Sequence, residues 1–192
     1  MVPYKVSIMT KTPKITVVNI VGTASLGSAF DLNQIAMTLE GAEYEPEQFP
    51  GLIYRIKEPK AAFLIFKSGK VVCTGTTSKE NAQKAVNIAA DRLIQIDVEV
   101  ADKPIINIVN IVASSDLGAE LNLNQVAMHL GLENIEYEPE QFPGMVYRVR
   151  DPKVVILLFS SGKIICTGAK ILPDVSRAVD ILQEELANGG FL

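Results

Sequence analysis

The chain has 192 residues, of which 48% are hydrophobic, and a formal net charge of −4. This length and apolar content suit one or two globular domains with a substantial core. No run of about 18 apolar residues occurs, so the sequence predicts no transmembrane segment. Residues 1–14 lack the apolar centre of a signal peptide, and we expect a cytoplasmic protein. The acidic balance, taken alone, argues against a nucleic-acid-binding protein.

The distribution of charge changes that expectation. Residues 52–75 and residues 145–170 each contain five lysines or arginines and only one acidic residue. Two basic stretches in an otherwise acidic chain favour an anionic partner, although lysines that protect a solvated sheet edge would give a similar pattern.

A long internal repeat organises the chain. The nine letters E-Y-E-P-E-Q-F-P-G occur at residues 43–51 and again at 136–144, and V-V-N-I-V at 17–21 is matched by I-V-N-I-V at 108–112. The repeat is much longer than the roughly 20–50 residues of a solenoid unit. We therefore predict a short leader at 1–13, a first repeat at 14–100 and a second repeat at 101–192. Cys73 and Cys166 occupy equivalent positions, which indicates two reduced structural thiols and neither a disulfide framework nor a metal site.

Periodicity and turn residues predict the same elements in both repeats. The predicted elements of the first repeat are a strand at 14–22, a helix at 28–39, a short strand at 42–45, strands at 52–57, 61–67 and 70–74, and a helix at 78–96 that Ser78 caps. Those of the second are a strand at 105–112, a helix at 121–130, strands at 145–150, 154–160 and 163–167, and a helix at 174–186. The link at 101–104 is short, so we expect an α+β fold with one continuous antiparallel sheet and its helices on one face.

The other face of the predicted sheet would be open. Period-two alternation places a mostly apolar, uncharged set of residues on it. The set is Asn19, Val21, Thr23, Leu64, Phe66, Val72 and Thr74, with Asn110, Val112, Ser114, Leu157, Phe159, Ile165 and Thr167. A bare apolar patch of this kind normally receives a ligand or partner; with the opposite parity, these residues would instead be core. Arginines at 55 and 148 would border the face, and an apolar centre with a cationic border suits the DNA minor groove.

The V-N-I-V strands, the Y-E-P-E-Q-F-P-G loops and the S-G-K-x-x-C-T-G hairpins together resemble the TATA-box-binding proteins, in particular the archaeal kind. The resemblance covers about residues 14–186. It implies a curved, saddle-shaped sheet of two pseudo-twofold-related repeats with the helices on its convex side. It also implies a general transcription initiation factor that binds and kinks the minor groove of a TATA element and recruits transcription factor B and RNA polymerase.

The resemblance also implies residue roles. The DNA-intercalating residues would be Phe49, Phe66, Phe142 and Phe159. The minor-groove residues would be Asn19, Val21, Leu64, Val72, Thr74, Asn110, Val112, Leu157, Ile165 and Thr167. The phosphate contacts would be Arg55, Lys70, Arg148 and Lys163, and the protein-partner residues would be Glu138, Glu140 and Gln141, where transcription factor B would dock.

A different class of protein remains open. A pseudo-dimeric binding module could hold a small apolar ligand or a protein on the same sheet face, although that function does not explain the basic stretches. An enzyme has no candidate chemistry, because the loop glutamates have no histidine or metal ligand beside them. We expect His129 to be a surface residue, no cofactor or metal, and self-association through the apolar face without DNA. A eukaryotic source would place the protein in the nucleus.

Overall fold

The structure is a computed structural model that describes residues 13–131 and 133–192. The predicted leader lies outside the described residues except for its last residue. The elements of the first repeat are β1 (Thr16–Ser25), α1 (Leu32–Thr38), β2 (Ala42–Glu43), β3 (Leu52–Lys57), β4 (Lys60–Ile65), β5 (Lys70–Thr76) and α2 (Lys79–Ile94). Those of the second are β6 (Asn107–Asp116), α3 (Leu123–Leu130), β7 (Ile135–Glu136), β8 (Met145–Val149), β9 (Val154–Leu158), β10 (Lys163–Ala169) and α4 (Leu172–Asn188).

The strands form one open sheet in the order β2-β3-β4-β5-β1-β6-β10-β9-β8-β7. Neighbouring strands run antiparallel in each of the hairpins β3–β4, β4–β5 and β8–β9, and β1 also pairs antiparallel with β5. The two edge strands, β2 and β7, have only two residues each, which leaves little unpaired backbone for another chain to join. The predicted α+β fold with a single antiparallel sheet is confirmed.

By contact density, the chain divides into two compact units. Of the described residues, one unit contains Val17–Ala113 and Thr167–Leu172, and the other contains residues 13–16, Ser114–Cys166 and Pro173–Leu192. Among the described residues, no helix combines the length and apolar character needed to cross a membrane.

The long helix α2 shows how the sequence builds the core. Ser78 caps it, since its side-chain oxygen accepts a hydrogen bond from the Asn81 backbone N–H at 3.1 Å. Its apolar stripe packs in one buried cluster with Phe63 and Ile65 of β4 and Val71 of β5. The buried residues of the stripe are Ala82, Ala85, Val86, Ala89, Ala90 and Leu93. The small alanines allow the helix to lie close to the sheet.

Helix α1 is shorter than predicted at its start. The predicted helix begins at residue 28, but Asp31 is the N-cap, and its side chain accepts from the backbone N–H groups of Asn33 and Gln34. An N-cap residue has extended backbone geometry, so the helix begins after it, at Leu32. The predicted strand at 14–22 ends too early, because Ser25 still pairs with Lys70 and prolongs β1.

Both cysteines lie within the core. Cys73 and Cys166 are free and only 1% exposed. Burial raises the pKa of each thiol to about 11, because a thiolate would lose its hydration in the apolar interior. The prediction of two structural thiols is confirmed.

Candidate nucleic-acid interface

The face of the first repeat that lacks helices has a continuous row of uncharged, mostly apolar residues across four strands. Leu64 of β4 lies opposite Ile53 of β3 on one side and Val72 of β5 on the other, and Val72 lies opposite Thr23 of β1. All four residues are half-buried, whereas the residues that alternate with them are fully buried in the core. Val21 of β1 has the same intermediate burial. The burial pattern therefore agrees with the predicted parity of the sheet.

The second repeat shows the same alternation. The predicted face residues are all half-buried here too: Asn110, Val112, Ser114, Leu157, Phe159, Ile165 and Thr167. Leu157 lies opposite Val146 of β8, which adds an apolar residue that the sequence analysis did not include. The intervening residues Ile156, Leu158, Ile164 and Cys166 are buried. No charged side chain interrupts either set.

Asn19 is held in place by an irregularity in the strand opposite. The register of β1 and β5 shifts by one residue between the pairs Ile20–Thr76 and Gly22–Cys73, which makes a bulge in β5. Gly75 lies in this bulge with φ of 93°, a conformation that favours glycine. Its backbone N–H donates to Asn19 Oδ1 at 2.8 Å.

This bond fixes the orientation of the Asn19 amide. A backbone N–H can only donate, so the atom that faces Gly75 must be the carbonyl oxygen. Asn19 Nδ2 then donates to Thr74 Oγ1 at 3.0 Å and keeps a second hydrogen that has no acceptor among the described residues. The Asn19 amide is thus held in one orientation, with a free N–H donor on a half-exposed apolar face.

Asn110 repeats this arrangement. Its Oδ1 accepts from the Gly168 N–H at 2.7 Å, and its Nδ2 donates to Thr167 Oγ1 at 3.1 Å. Gly168 has φ of 101°, like its counterpart Gly75. Each repeat therefore presents one oriented asparagine and one threonine whose hydroxyl accepts from it.

Two phenylalanine pairs lie at the ends of strands β4 and β9. The rings of Phe49 and Phe66 meet edge to face with centroids 6.0 Å apart, and those of Phe142 and Phe159 do so at 5.9 Å. The loop members of the pairs, Phe49 and Phe142, are 37% and 39% exposed. The structure thus brings together each pair that the resemblance predicts, and it leaves part of each apolar ring in solvent.

Glycines and loop hydrogen bonds make room for the first members of these pairs. A Cβ atom at Gly51 would lie 2.7 Å from Phe49 Cε1, and one at Gly144 would lie 2.7 Å from Phe142 Cε1. The backbone N–H of Phe49 donates to the Glu45 carbonyl at 2.9 Å, and the tight loop turns the ring towards its partner. Only glycine at these two positions leaves this space for the rings of Phe49 and Phe142.

Basic residues border the apolar face, but two of them have acidic partners. Arg55 forms an ion pair with Glu43 at 3.1 Å, and Arg148 forms one with Glu136 at 2.9 Å. All four side chains are more than half exposed, so each pair contributes little to stability, about 0–1 kcal/mol. Lys70 and Lys163, the first residues of β5 and β10, are also exposed. They have no ion pair within the described part of the chain.

The remaining predicted residues are exposed to solvent. Glu138, Glu140 and Gln141 are all exposed on the second E-P-E-Q-F-P-G loop. His129 is exposed as predicted, but its ring also packs edge to face on Phe191 at 5.7 Å. No group of metal-binding side chains occurs in the residues that the structure describes.

Comparison with known proteins gives a consistent result. The family model described as transcription factor TFIID, or TATA-binding protein, matches residues 14–96 and 105–188. The chain belongs to this family. It is 55% identical over 184 residues to the TATA-box-binding protein of Picrophilus torridus, which covers 96% of this chain and 100% of that protein. It is 52% identical over 179 residues to that of Archaeoglobus fulgidus, covering 93% and 98%.

A solved member of the family has the same fold. The TBP of Methanococcus jannaschii superposes with a TM-score of 0.84 at 49% identity, covering 92% of this chain and 99% of that one. The resemblance to the TATA-box-binding family, and to archaeal members in particular, is confirmed. The family assignment gives the chain a place in transcription initiation.

Three features of the interface were missed in the sequence analysis. The first is the space that Gly51 and Gly144 give to the phenylalanine rings, which the F-P-G ending of the repeated loop could have indicated. The second is the pair of bulge glycines, Gly75 and Gly168, for which the C-T-G ending of the hairpin was a signal. The third is the pairing of both arginines with glutamates, and no local sequence pattern indicates it, because the partners lie 12 residues apart.

Proposed function

We propose that this chain is a general transcription initiation factor that binds the minor groove of a TATA element and bends the DNA there. The observation that carries the proposal is the two edge-to-face phenylalanine pairs, exposed beside an apolar, uncharged sheet face. Such a face suits the minor groove of A·T pairs, which lacks the guanine amino group. The relatives are named for TATA-box binding, which supports the same partner.

The oriented asparagines would read the groove. In the minor groove an A·T pair offers only acceptors, adenine N3 and thymine O2. The second Nδ2 hydrogen of Asn19 and of Asn110 is a donor, and its amide cannot flip without losing the bond from Gly75 or Gly168. The half-buried residues around them would contact the groove floor. These residues are Val21, Leu64, Val72, Thr74, Val112, Leu157, Ile165 and Thr167.

The phenylalanines would act as wedges. Phe49 with Phe66, and Phe142 with Phe159, would enter base steps and unstack them, at a cost of a few kcal/mol per step. The bent duplex then exposes a wide, shallow groove to the sheet, and this added contact offsets the cost. Flexible pyrimidine–purine steps such as TA would lower the bending energy further.

The basic residues would contact phosphates. Lys70 and Lys163 are exposed and have no ion-pair partner among the described residues, so they can approach the backbone without breaking a contact. Arg55 and Arg148 would have to share or leave their glutamates, at a cost of no more than about 1 kcal/mol for an exposed pair. Each neutralised phosphate releases counterions, and binding should weaken with salt.

Protein partners would use a different surface. The exposed acidic loop of the second repeat, with Glu138, Glu140 and Gln141, would be repelled by DNA and would face a protein. We propose that transcription factor B docks there and that RNA polymerase is recruited through it, at the chromosome. Without DNA, the apolar face would favour self-association.

A bending assay tests the proposal. The protein is titrated onto a short TATA duplex labelled with a fluorescent dye at each end, and onto a G·C duplex of equal length. We expect tight, salt-sensitive binding and increased energy transfer with the TATA duplex only. Phe142→Ala or Phe159→Ala should reduce both affinity and bending. Phe191→Ala, an aromatic deletion away from the sheet face, is the matched control and should change neither. Equal affinity for the G·C duplex, or binding without bending, would contradict the proposal.

A further inference from the structure

The two repeats present nearly equal apolar faces, and the largest difference in side-chain volume between them lies at one position. Ile53 and Val72 flank Leu64 in one row of the first repeat. Their counterparts in the second repeat are Val146 and Ile165. These exchanges remove one carbon atom and add another, so the volume is conserved. In the neighbouring row Ala62 becomes Val155, which adds two carbon atoms, whereas Thr23, which lies opposite Val72, becomes Ser114, which removes only one.

Ala62 lies between a bordering arginine and the residue that holds the oriented amide of its repeat. It is half-buried on β4, opposite Arg55 of β3 and opposite Thr74 of β5. Thr74 is the residue that binds the Nδ2 group of Asn19. Ala62 therefore lies in the same row as the oriented amide, where a small side chain leaves space.

Val155 occupies the corresponding position in the other repeat. It is half-buried on β9 and lies opposite Arg148, as Ala62 lies opposite Arg55. Its branched side chain is stiff and fills the space that alanine leaves. The second repeat thus has the more filled face at this position.

Volume at this position matters because of the chemistry of the minor groove. A G·C pair differs from an A·T pair there by the guanine N2 amino group, which projects from the groove floor. A face that fits closely against A·T pairs collides with this group, whereas a face with a gap can accept it. One unfavourable base pair typically costs about 1–3 kcal/mol, a factor of five or more in affinity.

We propose that Ala62 and Val155 are specificity-determining residues that make the first repeat tolerant of a G·C pair and the second repeat intolerant. The inference rests on the proposed function. Its consequence is directional: on an element with a G·C pair in one half, the protein binds with its first repeat over that half. The repeats share their phenylalanine and asparagine pairs, so this small volume difference provides an asymmetry that those shared residues lack.

The experiment measures orientation. The duplexes carry a palindromic A·T-rich element in which one position of one half, taken in turn, is changed to G·C. A donor dye is placed on Lys84→Cys, an exposed position of α2 in the first repeat, and an acceptor at one DNA end. Cys73 and Cys166 are buried, so the introduced thiol is labelled selectively. Energy transfer then reports which repeat covers the altered half.

For the wild-type protein we expect, at one or more positions, at least about a fivefold excess of complexes with the first repeat over the G·C half. The exchange variant Ala62→Val with Val155→Ala should reverse this excess. Val155→Ala alone, a conservative truncation on a half-exposed site, should remove it, because both repeats then have space. Replacing guanine with inosine, which lacks the amino group, should also remove the preference.

Three results would overturn the inference. They are equal populations of both orientations at every position, an excess that the exchange variant leaves unchanged, and an excess that persists with inosine. In each of these the protein still binds the unaltered A·T duplex, so the proposed function stands. Failure to bind that duplex at all would instead overturn the proposed function, and the inference with it. Thermal melting of each variant confirms that it is folded.

Discussion

Gly144 tests whether the edge-to-face geometry of a phenylalanine pair matters for bending. Gly144→Ala places a Cβ atom 2.7 Å from Phe142 Cε1 and 3.0 Å from Phe159 Cε1. Ordinary contacts begin at 3.4 Å, so the ring of Phe142 must move by about 0.7 Å and that of Phe159 by about 0.4 Å. Gly144 does not have a positive φ, so the substitution adds no backbone strain to this steric effect.

We expect Gly144→Ala to lower the free energy of unfolding only slightly and to reduce DNA bending more strongly. The edge-to-face contact contributes about 0.5–1.5 kcal/mol, and Phe142 can move because it is 39% exposed. We therefore expect the free energy of unfolding to fall by no more than about 1.5 kcal/mol, which lowers Tm by roughly 3–6 °C in a protein of this size. The displaced rings should no longer enter the base step together, and DNA bending should fall clearly.

The assays are thermal melting and the two-dye bending measurement on a TATA duplex. A double-mutant cycle with Phe142→Leu provides the control, because the shorter side chain removes the closer of the two clashes. In that background only the 3.0 Å approach to Phe159 Cε1 remains, so Gly144→Ala should lower Tm by less than it does in the wild-type protein. If Gly144→Ala leaves bending unchanged, or if its cost is the same with leucine at position 142, the steric reasoning is wrong.

Two further predictions concern the asparagine donor and the buried thiols. Asn110→Asp keeps the acceptor for the Gly168 N–H, removes the Nδ2 donor and adds a negative charge. We expect Tm to change little and the affinity for a TATA duplex to fall by about 1–3 kcal/mol or more. Unchanged affinity would exclude Asn110 from DNA contact. The pKa of the thiols of Cys73 and Cys166 is about 11 in the folded protein and near its ordinary value when unfolded, so the unfolded state loses its protons first as pH rises. Stability from this source is complete below about pH 9 and should be lost between about pH 9 and pH 11. A Cys73→Val, Cys166→Val variant should show a flatter dependence of Tm on pH, and an identical slope would argue against the thiols as its cause.

Local sequence patterns predicted most of the fold because the side-chain period is a local property. The strand at 52–57 has its predicted limits, since E-P-K on one side and the F-P-G loop on the other cannot extend it. Errors occurred at ends where partners decide the length. Ser25 remains in β1 only because Lys70 lies opposite, and no pattern within residues 22–25 signals this pairing.

In the candidate interface, too, local patterns predicted which face a residue occupies but did not predict which residues it contacts. Alternation alone placed Asn19 and Leu64 on one face, and their half-buried state agrees with it. The orientation of the Asn19 amide could not be predicted, because it depends on the N–H group of Gly75, 56 residues away in a bulge. The ion pair of Arg55 with Glu43 could not be predicted either, because its partners are not neighbours in the sequence.

By itself, the sequence determined the repeat, the order of the elements, the family and the apolar face, because each depends on residue type and spacing along the chain. The tertiary structure alone decided which side chains meet and how they are oriented. It brought the ring centroids of the two phenylalanine pairs to 6.0 and 5.9 Å from each other, oriented each asparagine amide through one backbone N–H, and placed Ala62 opposite Thr74. These properties depend on contacts between residues distant in the chain, and such contacts form only when the strands pair in one particular register.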